Sequence, residues 1–313
     1  MPSGSNRASP ASVEEAAHLL REAAASGASV SIEQPGGDIV VSMSRMNRIL
    51  EHEAGDLTCV VEPGLRLSEL NAKLAQHEQM LPLDPPGDPT LGACIGGALS
   101  GPRRHRFGST RDLLLGVTVV LTDGTVASSG GKVVKNVAGY DLAKLFCGSR
   151  GTLGLVVRAA FRLHPIPAAA RTLVVNLDDA GTAARLGQAC LRGHFALSAA
   201  DLLWPGRLAL LLEGSERAVE IQAQRAGTDL GAQTAHEPVL DESRERQGRA
   251  RGRTDIVLAD LEGWLSGVPD AVVRLSAGVA YVPSDLPRTS PPELEALRER
   301  VRAEFDPAGL LVA

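Results

Sequence analysis

An α+β protein of two domains is predicted by three features of the sequence. Short apolar runs bounded by glycine and proline turns, one of them closing on Asp123-Gly124, signal hairpins and antiparallel pairing. Glycine-dense stretches are gathered in one half of the chain, at 84–101, 108–124 and 139–154. The segment HPIPAAAR at 164–171 then breaks the pattern, and beyond it strand-like and helix-like segments alternate. The 313 residues suit roughly two domains at ~100–200 residues each. The expected divisions are an unstructured leader over 1–11, a first domain over 12–166, and a smaller α+β cap domain with an antiparallel sheet over 170–313.

Each element has a local reason. Ser12 followed by Glu15 fits a capping box, and Val13, Ala16, Ala17, Leu20 and Ala24 keep helical spacing after it. VSI at 30–32 and DIVVSM after the Gly36-Gly37 break read as strands, as does LTCVVEPG at 57–64. Leu67, Leu70 and Leu74 mark a short helix, which stops before the proline- and glycine-dense stretch 82–92. LLLGVTVVLTDGTVASS reads as a β-hairpin, and LVVRAAFRLHP at 155–165 as a long strand. In the second half TLVVNL (172–177), LALLL (208–212) and VVRLSAGVAYV (272–282) are strand-like, with helices near 181–191, 215–226 and within 291–305. The charged segment 241–253 is expected to be a flexible loop.

Composition excludes several function classes. A 44% hydrophobic share with 22% charged residues is that of an ordinary packed core and solvated surface. The net charge of −5 argues against nucleic acid as a partner. The one dense basic run, Arg103-Arg104-His105-Arg106, reads as a local anion contact or a solvated loop. Cys59, Cys94, Cys147 and Cys190 form no C-x-x-C pair, which suits free thiols in a reducing compartment and no metal site. There is no signal-peptide pattern and no apolar run long enough to span a membrane. The expected compartment is the cytoplasm, with peripheral membrane attachment through a complex as the alternative.

Glycine-rich segments bring backbone N–H groups close to phosphate or to a flat ring, because no Cβ intervenes. A Rossmann site fits poorly: G-x-G-x-x-G is absent, and Gly148–Gly154 follows a helical segment instead of a strand. A P-loop fails too, since Val126 stands where its first glycine belongs and Val133 follows Lys132. What remains is the order of PLDPPGDPTLGACIGGALSGPRR, FGSTRDLLLGVTVVLTDG and GGKVVKNVAGYDLAKLFCGSRGTLGLV. These segments resemble the flavin-binding half of the vanillyl-alcohol-oxidase (PCMH) type FAD oxidoreductases. MLPLDPP, SGPRR and VVKNVAGYDLAKL resemble one branch of them closely, the smaller FAD-binding subunits of bacterial glycolate oxidases. The resemblance covers residues 12–165 well and the rest weakly.

The resemblance implies a two-subdomain PCMH-type FAD-binding domain followed by the cap, and non-covalent FAD. Asp88, Thr90, Leu91, Gly92, Gly96 and Gly97 match the stretch that wraps flavin and pyrophosphate; Ser100, Gly101 and Gly108 continue along the cofactor. Gly139, Tyr140 and Asp141, with Gly151, Thr152, Leu153, Gly154 and Val156, match the contacts to the isoalloxazine and the adenine side. Leu142, Leu153 and Val156 offer apolar surface to the rings. Plainer readings stand beside these. Gly124 suits the hairpin turn; Asp141 suits a helix cap, with Leu142, Leu145 and Phe146 as core; Lys135 and Lys144 suit surface charges. Cys94 and Cys147 suit small buried residues, and His105 an exposed loop position.

Two departures from the family pattern stand out. SIEQPGGDIVVSMSRM runs almost directly from Gly36-Gly37 into the next strand, so most of the first pyrophosphate loop is missing and FAD binding is expected to be weakened or lost. The segment after Asp306-Pro307-Ala308-Gly309 also reads as shortened. Oxidation of a 2-hydroxy acid needs a base near the reacting carbon and a cationic group for the carboxylate. The second half offers His194 and His236 without a histidine-rich motif, and Arg253, Arg274 and His236 each read more readily as surface residues. No catalytic residue is assigned. The resemblance implies an FAD-binding subunit of a glycolate oxidase complex, beside a larger FAD-binding catalytic subunit and an iron–sulfur subunit. A flavin-free structural partner and a stand-alone FAD-dependent 2-hydroxy-acid dehydrogenase are the alternatives.

Overall fold

Asn6–Ala8, expected within an unstructured leader, form a strand, β1, of a parallel sheet. The computed structural model describes residues 6–131, 141–193, 195–286 and 291–313. Helix α1 (Val13–Ser26) begins where expected: Ser12 Oγ accepts from the Glu15 N–H, and Ala16, Ala17, Leu20 and Ala23 bury one face. β2 (Val30–Ile32) and β3 (Ile39–Val41) are parallel neighbours joined by residues 33–38 alone. Parallel neighbours ordinarily need a crossover of about a dozen residues or more. The short return is possible here because Gly37 lies flat on β2: a Cβ there would stand 2.7 Å from Ser31 N.

The chain continues through β4 (Ile49–Glu53), β5 (Thr58–Val61), α2 (Leu67–Leu74) and β6 (Gln79–Met80). The short helices α3 (Leu91–Gly96), α4 (Arg104–Phe107) and α5 (Thr110–Leu113) interrupt the glycine- and proline-rich stretch. β7 (Leu114–Val120), β8 (Val126–Gly130), β9 (Leu155–Arg162) and β10 (His164–Pro165) follow. β7 and β8 make the expected hairpin, with Gly124 at φ +81° in its turn. A five-stranded antiparallel sheet ordered β4-β5-β9-β7-β8 results. One face carries Val117, Ala159 and Phe161 against Leu70, Leu74, Leu91 and Ile95. On the other face Val120, Leu155 and Val157 meet α1 and the parallel sheet through Leu20, Val30 and Val41.

The second half runs β11 (Ala169–Asn176), α6 (Ala180–Arg192), β12 (Leu197–Trp204), β13 (Arg207–Gly214), α7 (Glu216–Leu230), β14 (Gln233–Thr234) and α8 (Val239–Arg249). It goes on through β15 (Gly252–Asp255), α9 (Leu261–Ser266), β16 (Ala271–Arg274) and β17 (Val279–Val282). The strands form a seven-stranded antiparallel sheet ordered β14-β11-β13-β12-β16-β17-β15. Leu186, Val219, Ala226, Leu230, Leu261 and Leu265 of α6, α7 and α9 cover one face. α10 (Pro292–Phe305) then leads to β18 (Leu311–Val312), which returns to the first sheet beside β2. Asp306 makes that return, its buried carboxylate accepting from the N–H groups of Leu310 and Leu311 at 2.9 and 2.8 Å.

Two expectations in this half are corrected. The segment 241–253 is not a flexible loop: it holds most of α8 and the start of β15. Ion pairs Asp241–Arg244, Glu242–Arg246 and Glu245–Arg249 lie one turn apart along the helix and support it. The run 272–282 is two strands, β16 and β17, turned by Gly278 at φ +57°. Among the described residues no helix is long and apolar enough to cross a membrane.

Candidate functional site

The turn between β2 and β3 is closed by its own hydrogen bonds. Ser31 Oγ donates to the Gln34 carbonyl at 2.6 Å and accepts from Gly37 N at 3.2 Å. Glu33, at φ +59°, donates its N–H to the Val41 carbonyl at 2.8 Å, and its carboxylate accepts from Met43 N at 2.6 Å. Asp38 takes the Ser29 N–H and hydroxyl, which hold its carboxyl below the usual range. The turn therefore presents two carboxylates where the resemblance implies N–H donors for a pyrophosphate.

Two of the glycine-rich stretches meet beside this turn. Gly148 N donates to the Ile95 carbonyl at 2.9 Å, and Arg150 N to the Gly96 carbonyl at 3.0 Å, joining α3 to residues 148–151. Gly151, at φ +83°, packs on β2: a Cβ there would stand 2.6 Å from Ile32 Cδ1. Leu91 is buried and Thr90 Oγ1 caps α3 by accepting from Ala93 N. Gly92 N donates to the Pro63 carbonyl at 2.7 Å, and Gly97 lies against the Leu99 side chain. Thr152 Oγ1 donates to the Ser149 carbonyl, Leu153 is buried, Gly154 lies against the Val120 carbonyl, and Val156 packs on the core.

Other candidates face elsewhere. Asp88 accepts from the N–H and hydroxyl of Ser68 at the start of α2. Gly108 is enclosed by the Asp112 side chain. Asp141 lies 3.8 Å from Lys144 Nζ. Gly139, Tyr140 and Lys135 lie outside the described residues. Of the apolar residues read as ring contacts or core, Phe146 is buried, while Leu142 and Leu145 are exposed. Lys144 is no free surface charge: Nζ donates to the carbonyls of Arg111 and Leu114. Cys94 is buried, its thiol pushed up to about 12 by desolvation.

A polar network joins the Asp84–Phe107 strip to the second half. Arg103 donates through Nη2 and Nε to the buried Glu213 at 2.6 and 3.2 Å, and Arg106 reaches the Glu213 carbonyl at 2.9 Å. The basic run is thus a joint between halves, neither a free anion site nor a solvated loop. His105 is half-buried instead of exposed; its Nδ1 has no hydrogen-bond partner among the described residues, and desolvation lowers its pKa. Arg274 is buried too, against the surface reading, and pairs with Asp201, Ser243 and Gln247. Arg253 and His236 do lie exposed, and His194 lies outside the described residues.

Sequence reading passed over three residues of this region. Asp84 takes the single Arg103 N–H between its two carboxyl oxygens, and burial pushes its carboxyl up to about 7, although Arg274, Arg103 and Arg244 oppose the shift. Gln247 donates to the Ser100 carbonyl at 2.9 Å. Glu33, in the short turn, is the third. Nothing in the residue type marked it, since left-handed backbone is uncommon for a residue other than glycine and two glycines stand in the same turn.

Residues 7–130 match the FAD binding domain family. D-Lactate dehydrogenase [cytochrome] 1, mitochondrial, of Saccharomyces cerevisiae is 34% identical over 169 residues, 54% of this chain and 29% of the relative. The glycolate oxidase subunit GlcD of Bacillus subtilis is 37% identical over 151 residues, 48% of this chain and 32% of the relative. The chain spans about a third of the length of the curated relatives it matches. Among solved structures, alkyldihydroxyacetonephosphate synthase covers 97% of this chain and 76% of its own length at a TM-score of 0.77, with 15% identity. That likeness is one of fold, and it extends over both halves. The α+β architecture expected from the sequence is therefore present, with an antiparallel sheet in the second half.

Proposed function

We propose that this chain is an FAD-domain subunit of a complex that oxidises a 2-hydroxy acid of the glycolate class, and that it does not turn over substrate alone. In this reading a larger flavin-bearing subunit carries the reaction and an iron–sulfur subunit takes the electrons, in the cytoplasm or at a membrane surface reached through the complex. The observation that carries the reading is the pairing of Arg274 with Asp201. The buried cation that faces the Ser100 strip through Gln247 is neutralised inside its own half, so it is not free to hold a substrate carboxylate.

If FAD is seated here, the backbone of residues 91–97 and 148–154 would hold it, and it would supply a two-electron acceptor. The β2–β3 turn does not suit its pyrophosphate. Glu33 and Asp38 repel a dianion, and each charge-assisted hydrogen bond the turn does not make forgoes ~1.5–3 kcal/mol. Glu33 therefore favours a second reading, a flavin-free partner subunit that keeps the fold.

Two assays decide. The isolated chain, given glycolate or D-lactate and an artificial electron acceptor, is expected to show no turnover; robust turnover would overturn the first reading. Visible absorption after incubation with FAD separates the two readings. A stoichiometric flavin spectrum removes the flavin-free one, and protein that stays colourless removes the cofactor.

A further inference from the structure

The seat of α8 differs from those of α6 and α7. α6 and α7 lay alanine and leucine faces on the sheet, whereas α8 buries only Val239, Leu240 and Ser243, and six of its eleven residues are charged. Val239 and Leu240 close on Ala199, Leu203, Ala209 and Leu211 at the start of the helix. From Arg244 onward its contacts to the first half are polar or bare. Arg244 Nη1 lies 3.4 Å from Asp84 Oδ2, and a Cβ on Gly248 would stand 3.1 Å from Pro86 Cβ. Gln247 spans the halves, accepting from Arg274 through Oε1 and donating to the Ser100 carbonyl through Nε2.

The surroundings of this seat are incompletely satisfied. Asp201 Oδ1, Arg274 Nε, Glu213 Oε2 and His105 Nδ1 are buried without a hydrogen-bond partner among the described residues. A hydrogen bond nets only ~0.5–1.5 kcal/mol, and an unpaired buried polar group costs ~1–3 kcal/mol, so contacts of this kind hold an element less firmly than apolar burial does. Elements with few buried apolar contacts are the ones that open first.

We propose that the C-terminal half of α8 is a polar latch, closing the second half over the Asp84–Gly101 strip through Gln247 and Arg244 and lifting to expose that strip. What meets the exposed strip, a flavin or a flavin-bearing partner, rests on the function proposed above; the lifting itself does not. Residues 244–249 come away between two fixed points, the apolar start at Val239 and Leu240 and the β15–β17 pairing that begins at Gly252. The Arg246 contacts to Trp204 and Asp270 part with them, and Arg274 stays with Asp201 when Gln247 leaves. Ser100 and Gly101 are then bare on the side facing the second half.

Hydrogen exchange read by mass spectrometry on the full chain tests the latch. In the native protein, amides of residues 245–249 are expected to be at least about tenfold less protected than those in the middle of α7, the factor that ~1.4 kcal/mol of opening free energy supplies. Equal protection in the two helices would overturn the proposal. In Gln247→Ala, exchange over residues 98–107 is expected to rise about tenfold while α7 and β13 keep their native rates. No change over 98–107, or the same acceleration throughout the chain, would show that Gln247 is ordinary packing. Arg249→Gln, an exposed position paired among the described residues only within its own helix, is the control and leaves every rate outside that helix as it was. If Gln247→Ala does not fold, the comparison of α8 with α7 in the native protein decides. Turnover by the isolated chain would remove the proposed function and leave the exchange pattern untouched.

Discussion

Gly101 lies so close to Asp84 that a Cβ on the glycine would stand 1.7 Å from the Asp84 carbonyl oxygen. The bare backbone at this position serves a contact within the chain before it serves any ligand. Gly101→Ala must move either the Ser100–Gly101 strip or the 83–85 segment, and relief of such overpacking costs ~1–3 kcal/mol or more. A fall in the urea midpoint with an unchanged m-value is the expected result. A midpoint equal to that of the native chain would mean the two segments part easily.

Asp84 also sets a pH dependence. Its carboxyl is pushed up to about 7 by burial, against a value of 3.8 in the unfolded chain. Between those two values the folded protein holds a proton that the unfolded chain has released. The Asp84 contribution to stability is therefore fully present below the unfolded value and is lost as pH rises to about 7. Asp84→Asn keeps an acceptor for Arg103 N without the charge. Its melting temperature should gain on the native protein from pH 5 to about pH 7 and level off above that. A constant difference across that range would show that Asp84 does not titrate there.

Arg274 and Asp201 test the buried pair directly. Removing one partner leaves the other charge uncompensated, so Arg274→Met is expected to cost ~3–5 kcal/mol in chemical denaturation. The double variant Arg274→Met with Asp201→Leu should recover most of that loss, since an apolar pair can replace a buried ion pair at little cost. Additive losses in the double variant would mean that each residue is held by other neighbours, Ser243 and Gln247 being the nearest named ones.

Local periodicity made much of the fold legible. α1 and α2 announce themselves through leucine and alanine spacing, and the β7–β8 hairpin through Asp123-Gly124. α8 stayed hidden because its charges read as solvated chain, and only three of its residues are buried. Arg274 stayed hidden for a different reason. Its burial depends on Asp201, 73 residues earlier in sequence, and on a sheet register that no window around either residue reports. The glycines were legible as close approaches, but their partners were not. Gly151 meets Ile32 and Gly101 meets Asp84, both contacts between segments remote in the chain.

Glu33 gives the sharpest handle on the cofactor. Its carboxylate holds Met43 N in the turn where the resemblance implies a clasp for pyrophosphate. Glu33→Gln keeps an acceptor for that N–H and removes the charge, so the fold should tolerate it. Unit charges ~4 Å apart interact by ~4 kcal/mol at an effective dielectric near 20, and by less at longer range. FAD affinity, followed by quenching of flavin fluorescence, is therefore expected to rise about tenfold or more in the variant. The gain should shrink as salt is raised, because the removed repulsion is partly screened. An affinity unchanged at low salt would mean that the turn does not face the cofactor, and that the short β2–β3 connection is a feature of the fold alone.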